Sequence, residues 1–270
     1  HLVLPLPSPS KCVYYQTYWP RPVSSLSLSS LPSSLPPTLP SSEPTLNPEI
    51  TCSHERFWIF SQVSQWGSHW RYSQSDRLNQ VRSMMVIIRT TGISQNLPPR
   101  VVHIAQILVW RFYMKKDPAE YPFKDIMPYA FECAALILPE DKSIKEKVAQ
   151  SIRRDNRSMD KNSEFKKLFE TISILDFSLE IHHPSEYLRS FFTTQATPRQ
   201  IELASCIISD SFMCPCCLVH KPEVIAEGAA IMAAGMTDSP GSVLPKTQEA
   251  LSFVEDMQYF YTQNLSAYSK

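Results

Sequence analysis

The chain is 270 residues with Lys+Arg 26 against Asp+Glu 26, giving a formal net charge of zero. That balance argues against a protein that coats nucleic acid or a polybasic membrane binder, because nonspecific phosphate attraction needs a cationic surplus. With 23 Pro beside 5 Gly, neither GxGxxG nor GxxxxGK[ST] occurs, so the common nucleotide-cradling loops are set aside.

Residues 1 to 50 hold 11 Pro and 11 Ser, in runs such as Ser24-Ser25-Leu26-Ser27 and Pro36-Pro37-Thr38-Leu39-Pro40. Such a segment cannot offset its ordering entropy by burial, so residues 1–76 are expected to be a disordered or poorly ordered Ser/Pro-rich tail. The opening His1-Leu2-Val3-Leu4-Pro5 has neither a basic region nor an unbroken apolar core, and no signal peptide is expected. Beginning at His, the sequence reads as a fragment or an uncertain gene start. No window reaches the roughly 18–20 apolar residues of a membrane-spanning helix, so a soluble intracellular protein without membrane partners is expected. Seven cysteines, at 12, 52, 133, 206, 214, 216 and 217, are odd in number and scattered, which fits reduced thiols rather than a disulfide framework.

Residues 51–76 are aromatic without a period (Phe57, Trp58, Phe60, Trp66, Trp70), which suggests partial docking at best. From about Leu78 the pattern is helical: Val81, Met84, Met85 and Ile88 recur at i, i+3, i+4, i+7, with Gly92 as the stop. Pro98-Pro99 opens a second helix through Val101, Ile104, Ala105 and Leu108, made apolar nearly all round by Trp110, Phe112 and Tyr113, and therefore buried. Asp117-Pro118 ends it. Ile126, Ala130, Cys133, Ala134 and Ile137 trace the next stripe, its alanines small enough for close helix approach. Between 140 and 161, 12 of 22 residues are charged, with Ile144, Val148 and Ile152 spaced for a short amphipathic helix. Phe165, Leu168, Phe169 and Ile172 mark another helix, whose register is lost at Asp176-Phe177-Ser178. Pro184, Pro198 and Pro222 each open a further apolar-periodic stretch, Pro being tolerated at the first helical position, and a last stretch runs through Leu251, Val254 and Met257. No segment alternates as a half-buried strand would, so the ordered part is expected to be all-α, two bundles in tandem.

Several blocks resemble a known family. Leu97–Leu138, with Trp110-Arg111-Phe112-Tyr113-Met114 and Phe131-Glu132-Cys133-Ala134-Ala135-Leu136-Ile137-Leu138, is similar to the central helices of the cyclin box, in particular that of transcription-type cyclins such as K, T and L. Arg82-Ser83-Met84-Met85 with Gly92-Ile93 resembles the first helix of that box, and Phe177 to Pro184 followed by Tyr187-Leu188 resembles the segment joining the two cyclin repeats. Ile208 to Ser211 and Lys221 to Ala226 resemble paired helices of the second repeat.

The resemblance implies two tandem cyclin-like helical repeats, 77–180 and 181–262, then a short tail over 263–270. It implies a nuclear regulatory subunit, not an enzyme, that binds and activates a cyclin-dependent protein kinase, with no cofactor and no direct nucleic-acid contact. The family's lysine after the apolar helix aligns with Asp141 in Pro139-Glu140-Asp141-Lys142, leaving Lys142 one place late. The family's glutamate aligns near Leu168, with Glu170 two positions away. Leu136, Glu140, Lys142 and Glu170 are therefore the candidate partner-binding residues. The alternative is a non-activating helical scaffold like the repeats of transcription factor IIB, or a degenerate cyclin without a kinase.

Other constellations carry less. Cys214-Pro215-Cys216-Cys217 with His220 resembles part of a zinc set, which His182 and His183 could complete only if the fold brought them near; the expectation is small core residues and no metal. His103 reads as a core or interface residue, Arg153-Arg154-Asp155-Asn156-Arg157 as a solvated loop, and Ser8-Pro9 and Ser239-Pro240 as compositional phosphorylation candidates.

Overall fold

The computed structural model describes residues 58–59, 74–138, 145–148, 161–237, 243 and 247–268, all within the compact unit Thr51–Lys270. The helices are α1 (Gln74–Ser94), α2 (Pro99–Lys115), α3 (Phe123–Ile137), α4 (Lys161–Ile174), a short α5 (Ser185–Leu188) continued by a 3-10 turn (Arg189–Phe191), α6 (Pro198–Ser211), a one-turn α7 (Cys216–Val219), α8 (Pro222–Met236) and α9 (Gln248–Tyr268). The expected all-α character is what is found. Among the described residues the β-structure is a single antiparallel bridge between Phe192 and Val243.

Two central helices organise the packing. Of the fourteen residues of α2 from Val101 to Met114, all but His103 are buried, and α1, α3 and α4 pack around them. Helix α8 is its counterpart: its alanines and Ile225 are buried, and α5, α6, α7 and α9 lie against it. Small residues set the approach distances. A Cβ on Gly92 would run into Val102 of α2, and one on Gly228 into the Phe253 ring of α9 and to 3.0 Å from the Ala250 carbonyl.

Several sequence signals act differently from their simplest reading. Helix α1 begins at Gln74, a turn before Leu78, and runs past Gly92 to Ser94. It is stopped by Asn96, whose φ of 51° lets Leu97 N–H reach Gly92 O at 2.9 Å and Asn96 N–H reach Ile93 O at 3.0 Å, the paired bonds of a Schellman end. Gly92 is thus small for α2 rather than a stop. The same device ends α4, with Asp176 and Phe177 both at positive φ and Phe177 N–H on Ile172 O at 3.0 Å. Pro99, Pro198 and Pro222 open their helices as expected, whereas Pro184 is only the cap of a four-residue turn.

Trp58, inside the segment read as tail, is fully buried. Its ring lies under Arg111 Cζ at 5.1 Å and Lys115 Nζ at 5.0 Å, so part of that segment contributes to the core. Arg111, itself buried, donates from Nη1 to the Ser178 and Glu180 carbonyls at 3.3 and 3.2 Å. It thereby ties α2 to the stretch after α4. Trp110 Nε1–H does the same for the turn after α6, donating to Phe212 O at 3.0 Å. Val148 is buried on a helical turn over 145–148; Ile144, Ile152 and Arg153–Arg157 fall outside the described residues, as do Ser8-Pro9 and Ser239-Pro240.

Candidate functional site

Helices α3 and α4 pack on one another, and each leaves large apolar side chains exposed. The sequence stripe on α4 implies a buried Phe165 and Phe169, yet these are 69% and 53% exposed, and the core is met instead by Thr171, Leu175 and, in part, Leu168 and Ile172. Apolar residues occupy two sides of this helix, so periodicity alone could not tell the inner from the outer. Phe177 is 60% exposed and sets its ring edge against Phe169, with centroids 5.6 Å apart. A phenylalanine in the left-handed region costs backbone energy, and here that conformation closes the end of α4 while keeping the ring outside. Leu136, next to last in α3, is 50% exposed. Four of the seven large exposed hydrophobics among the described residues therefore belong to this region. Lys115 pairs with Asp176 at its margin.

Of the partner-binding residues expected from sequence, Leu136 and Glu170 are described, on the two helices that pack together. Glu170 is exposed and lines a recess of about 130 Å³ shared with Phe112, Glu120, Asp125, Tyr129 and Lys167. Glu140 and Lys142, and with them Asp141, lie outside the described residues. Tyr129, not anticipated from sequence, is buried with its hydroxyl lacking a hydrogen-bond partner. Its phenol pKa is raised, by burial first and then by the carboxylates of Glu164, Glu132 and Asp125.

A second polar cluster joins the two helical sets. Ser185 donates from its backbone N–H to His183 Nδ1 at 3.2 Å, which leaves the His183 proton on Nε2, 3.1 Å from His103 Nδ1. His103 then keeps its own proton on Nε2, 3.0 Å from Ser209 Oγ. A proton added at His103 Nδ1 would face the His183 Nε2 proton, and one added at His183 Nδ1 would displace the bond from the Ser185 N–H, leaving only Ser185 Oγ, 2.7 Å away, to accept it. Burial depresses both histidines, assisted at His183 by the Arg100 charge and at His103 by His183 and Arg89. Beside it Arg89 pairs with Asp210 at 3.0 Å, and Tyr261 donates to the same carboxylate at 3.1 Å. His103 is thus the interface residue expected, in contact with the ring of Phe212.

The cysteine motif does not assemble with histidine. Cys214, Cys216 and Cys217 are buried, but His220 turns to Asp256, its Nε2 2.7 Å from Oδ2, and His183 is committed to His103. His182 lies beside Glu180 and Tyr187. Among the described residues no group of three or more His, Cys, Asp or Glu is placed to hold a metal ion.

No protein-family model matches the chain. Among curated proteins it is 23% identical to Cyclin-L1-1 of Arabidopsis thaliana over 165 residues, covering 55% of this chain and 40% of that protein. It is 23% identical to Cyclin-L1-1 of Oryza sativa subsp. japonica over 164 residues, covering 55% and 38%. The chain thus spans about two fifths of the length of the curated relatives it matches. Among solved structures it is similar to a chain of the yeast TFIIK (Kin28/Ccl1/Tfb3) complex, with TM-score 0.56, 18% identity and coverage of 67% of this chain and 84% of that one. It is also similar to a chain of the CAK complex of Chaetomium thermophilum bound to ATP-gamma-S, with TM-score 0.57, 13% identity and coverage of 78% and 72%. No described helix is long and apolar enough to cross a membrane. The chain has a cyclin-like helical fold and is distantly similar in sequence to the Cyclin-L1-1 proteins.

Proposed function

We propose that the chain is a regulatory subunit that docks on a cyclin-dependent protein kinase through the α3–α4 face, in the nucleus and in transcription control. In this reading its repeats span 77–180 and 181–262, it performs no chemistry of its own, and Leu136, Glu140, Lys142 and Glu170 contact the partner. The observation that carries the reading is the exposed group Phe165, Phe169 and Phe177 together with Leu136. Exposed apolar side chains left together on a surface mark interaction sites, Phe169 and Phe177 here being in ring contact, and charged residues on the same stretch of chain, Glu170 and Asp176 with its partner Lys115, favour one orientation of approach. The curated proteins it resembles in sequence are cyclins, which supports the same reading.

The test is capture of purified cyclin-dependent kinases on the immobilised chain, compared with the triple variant L136A/F165A/F169A. All three side chains are at least half exposed, so the variant should keep the wild-type circular dichroism and melting temperature. Loss of a central interface anchor costs about 2 kcal/mol, or roughly thirtyfold in Kd. Failure of the wild type to retain any such kinase, or equal retention by the variant, overturns the proposal. Binding without activation is the second reading, favoured by Asp141 standing where the family's lysine is expected. It would show as retained kinase that phosphorylates its substrate no faster than kinase alone.

A further inference from the structure

The cysteine motif acquires its missing partner from a residue that is not a conventional member of a zinc set. Met257 of α9, fully buried, places Sδ 3.8 Å from Cys214 Sγ and 3.9 Å from Cys216 Sγ, and those two sulfurs are 3.1 Å apart. The three sulfurs form a nearly closed triangle. Thiolate sulfur lies about 2.3 Å from a borderline-soft cation, and a planar three-coordinate site of that radius separates its sulfurs by about 4 Å. Two edges already have that length, and the third has only to open across the Cys214-Pro215-Cys216 turn.

We propose that Cys214, Cys216 and Met257 form a three-sulfur site for a soft, thiophilic monovalent cation of the copper(I) class. Two thiolates and a thioether select such a cation over magnesium or calcium. Zinc would want a fourth ligand, and the nearest imidazole, His220, is held by Asp256. The surroundings are apolar: Cys214 and Cys216 are 3% and 5% exposed, and Phe253 and Leu218 are buried nearby in the same core. Loading displaces both thiol protons to solvent, the thioether joins as a neutral donor, and no electron moves. Because both thiols must give up their protons to bind, the fraction loaded at a fixed concentration of free cation should increase with pH. The loaded site would pin the turn after α6 to α9 and is independent of the docking face.

The experiment is an anaerobic titration of the fully reduced chain with copper(I) against a chromophoric copper(I) chelator. The expected result is one equivalent withheld by the wild type beyond that withheld by the C214S/C216S variant, with release of two protons. C217S, which alters a buried thiol outside the triangle, should retain that equivalent. M257L, which conserves volume and removes only the donor, should weaken it at least about tenfold. Circular dichroism confirms that each variant is folded. Equal binding by wild type and C214S/C216S overturns the proposal, as does unchanged affinity in M257L, loss of binding in C217S, or absence of proton release.

Discussion

Acidification should loosen the contact between the two helical sets through the His103–His183 pair. In the folded chain His183 is lowered from 6.5 to about 4, and His103 moves in the same direction, whereas both regain ordinary values on unfolding. Between pH 6.5 and 4 the unfolded chain therefore binds more protons than the native one, so stability is full above pH 6.5 and falls as the pH drops through that window. For His183 alone the difference between pH 7 and pH 5 is about 2 kcal/mol, equivalent to a fall of about 4–8 °C in Tm for a domain of this size. The structural cause is burial of both rings together with the proton they share: a second proton on His103 would face the one on His183 Nε2, and one on His183 Nδ1 would break the bond from the Ser185 N–H. Urea unfolding at pH 7 and pH 5 measures the total, and His183→Gln isolates the contribution. Glutamine keeps a nitrogen donor for His103 but does not titrate, so its loss between the two pH values should be smaller than the wild type's by about 2 kcal/mol. Equal losses in the two proteins would refute the reasoning, since the acid sensitivity would then come from groups elsewhere.

Gly228→Ala should cost about 1–3 kcal/mol by forcing Phe253 out of its place between α8 and α9; an unchanged urea midpoint would mean that the helices separate freely. Trp58→Ala should cost about 3–5 kcal/mol, because it removes a fully buried ring and the face on which Arg111 and Lys115 rest. A change under about 0.5 kcal/mol, the scale of an ordinary surface substitution, would show that this aromatic is dispensable. Among the described cysteines, iodoacetamide at pH 8 should label Cys206 first in the native chain and leave Cys133 untouched. Cys206 is only partly buried, whereas burial pushes the Cys133 thiol up to about 12; peptide mass mapping reads the order.

Much of the helical architecture was legible in the sequence because helices with one apolar side, or with apolar residues all round, leave a period that survives in a single chain. Helix α2 is the clear case, from Pro99 at its first position to the apolar circuit around Trp110. The errors fall where one residue type serves two purposes. Gly92 looks like a terminator, but its hydrogen is needed by Val102, and the termination is done by Asn96, whose left-handed backbone has no periodic signature. Trp58 sits among Ser, Gln and His without a period, and its burial depends on Arg111 and Lys115, more than fifty residues later in the chain.

The sites were less legible for a related reason: they are made by residues that periodicity assigns to the core, or by pairs that only tertiary structure brings together. Phe165 and Phe169 fall on a helical stripe with Leu168 and Ile172, and nothing in their spacing says that the stripe splits between an inner and an outer side. The left-handed turn at Asp176-Phe177 is what brings a third ring to the outer side, and loss of register at that point was the sole hint of it. The sulfur triangle shows the same limit from the opposite direction. The Cys214-Pro215-Cys216 turn is visible in sequence and invites a search for histidine, yet the helix that packs across it supplies Met257. A thioether at a core position of α9 is indistinguishable, by pattern, from any other apolar side chain. Its effect on copper(I) affinity is therefore the decisive measurement, because packing alone predicts that Leu in its place changes nothing.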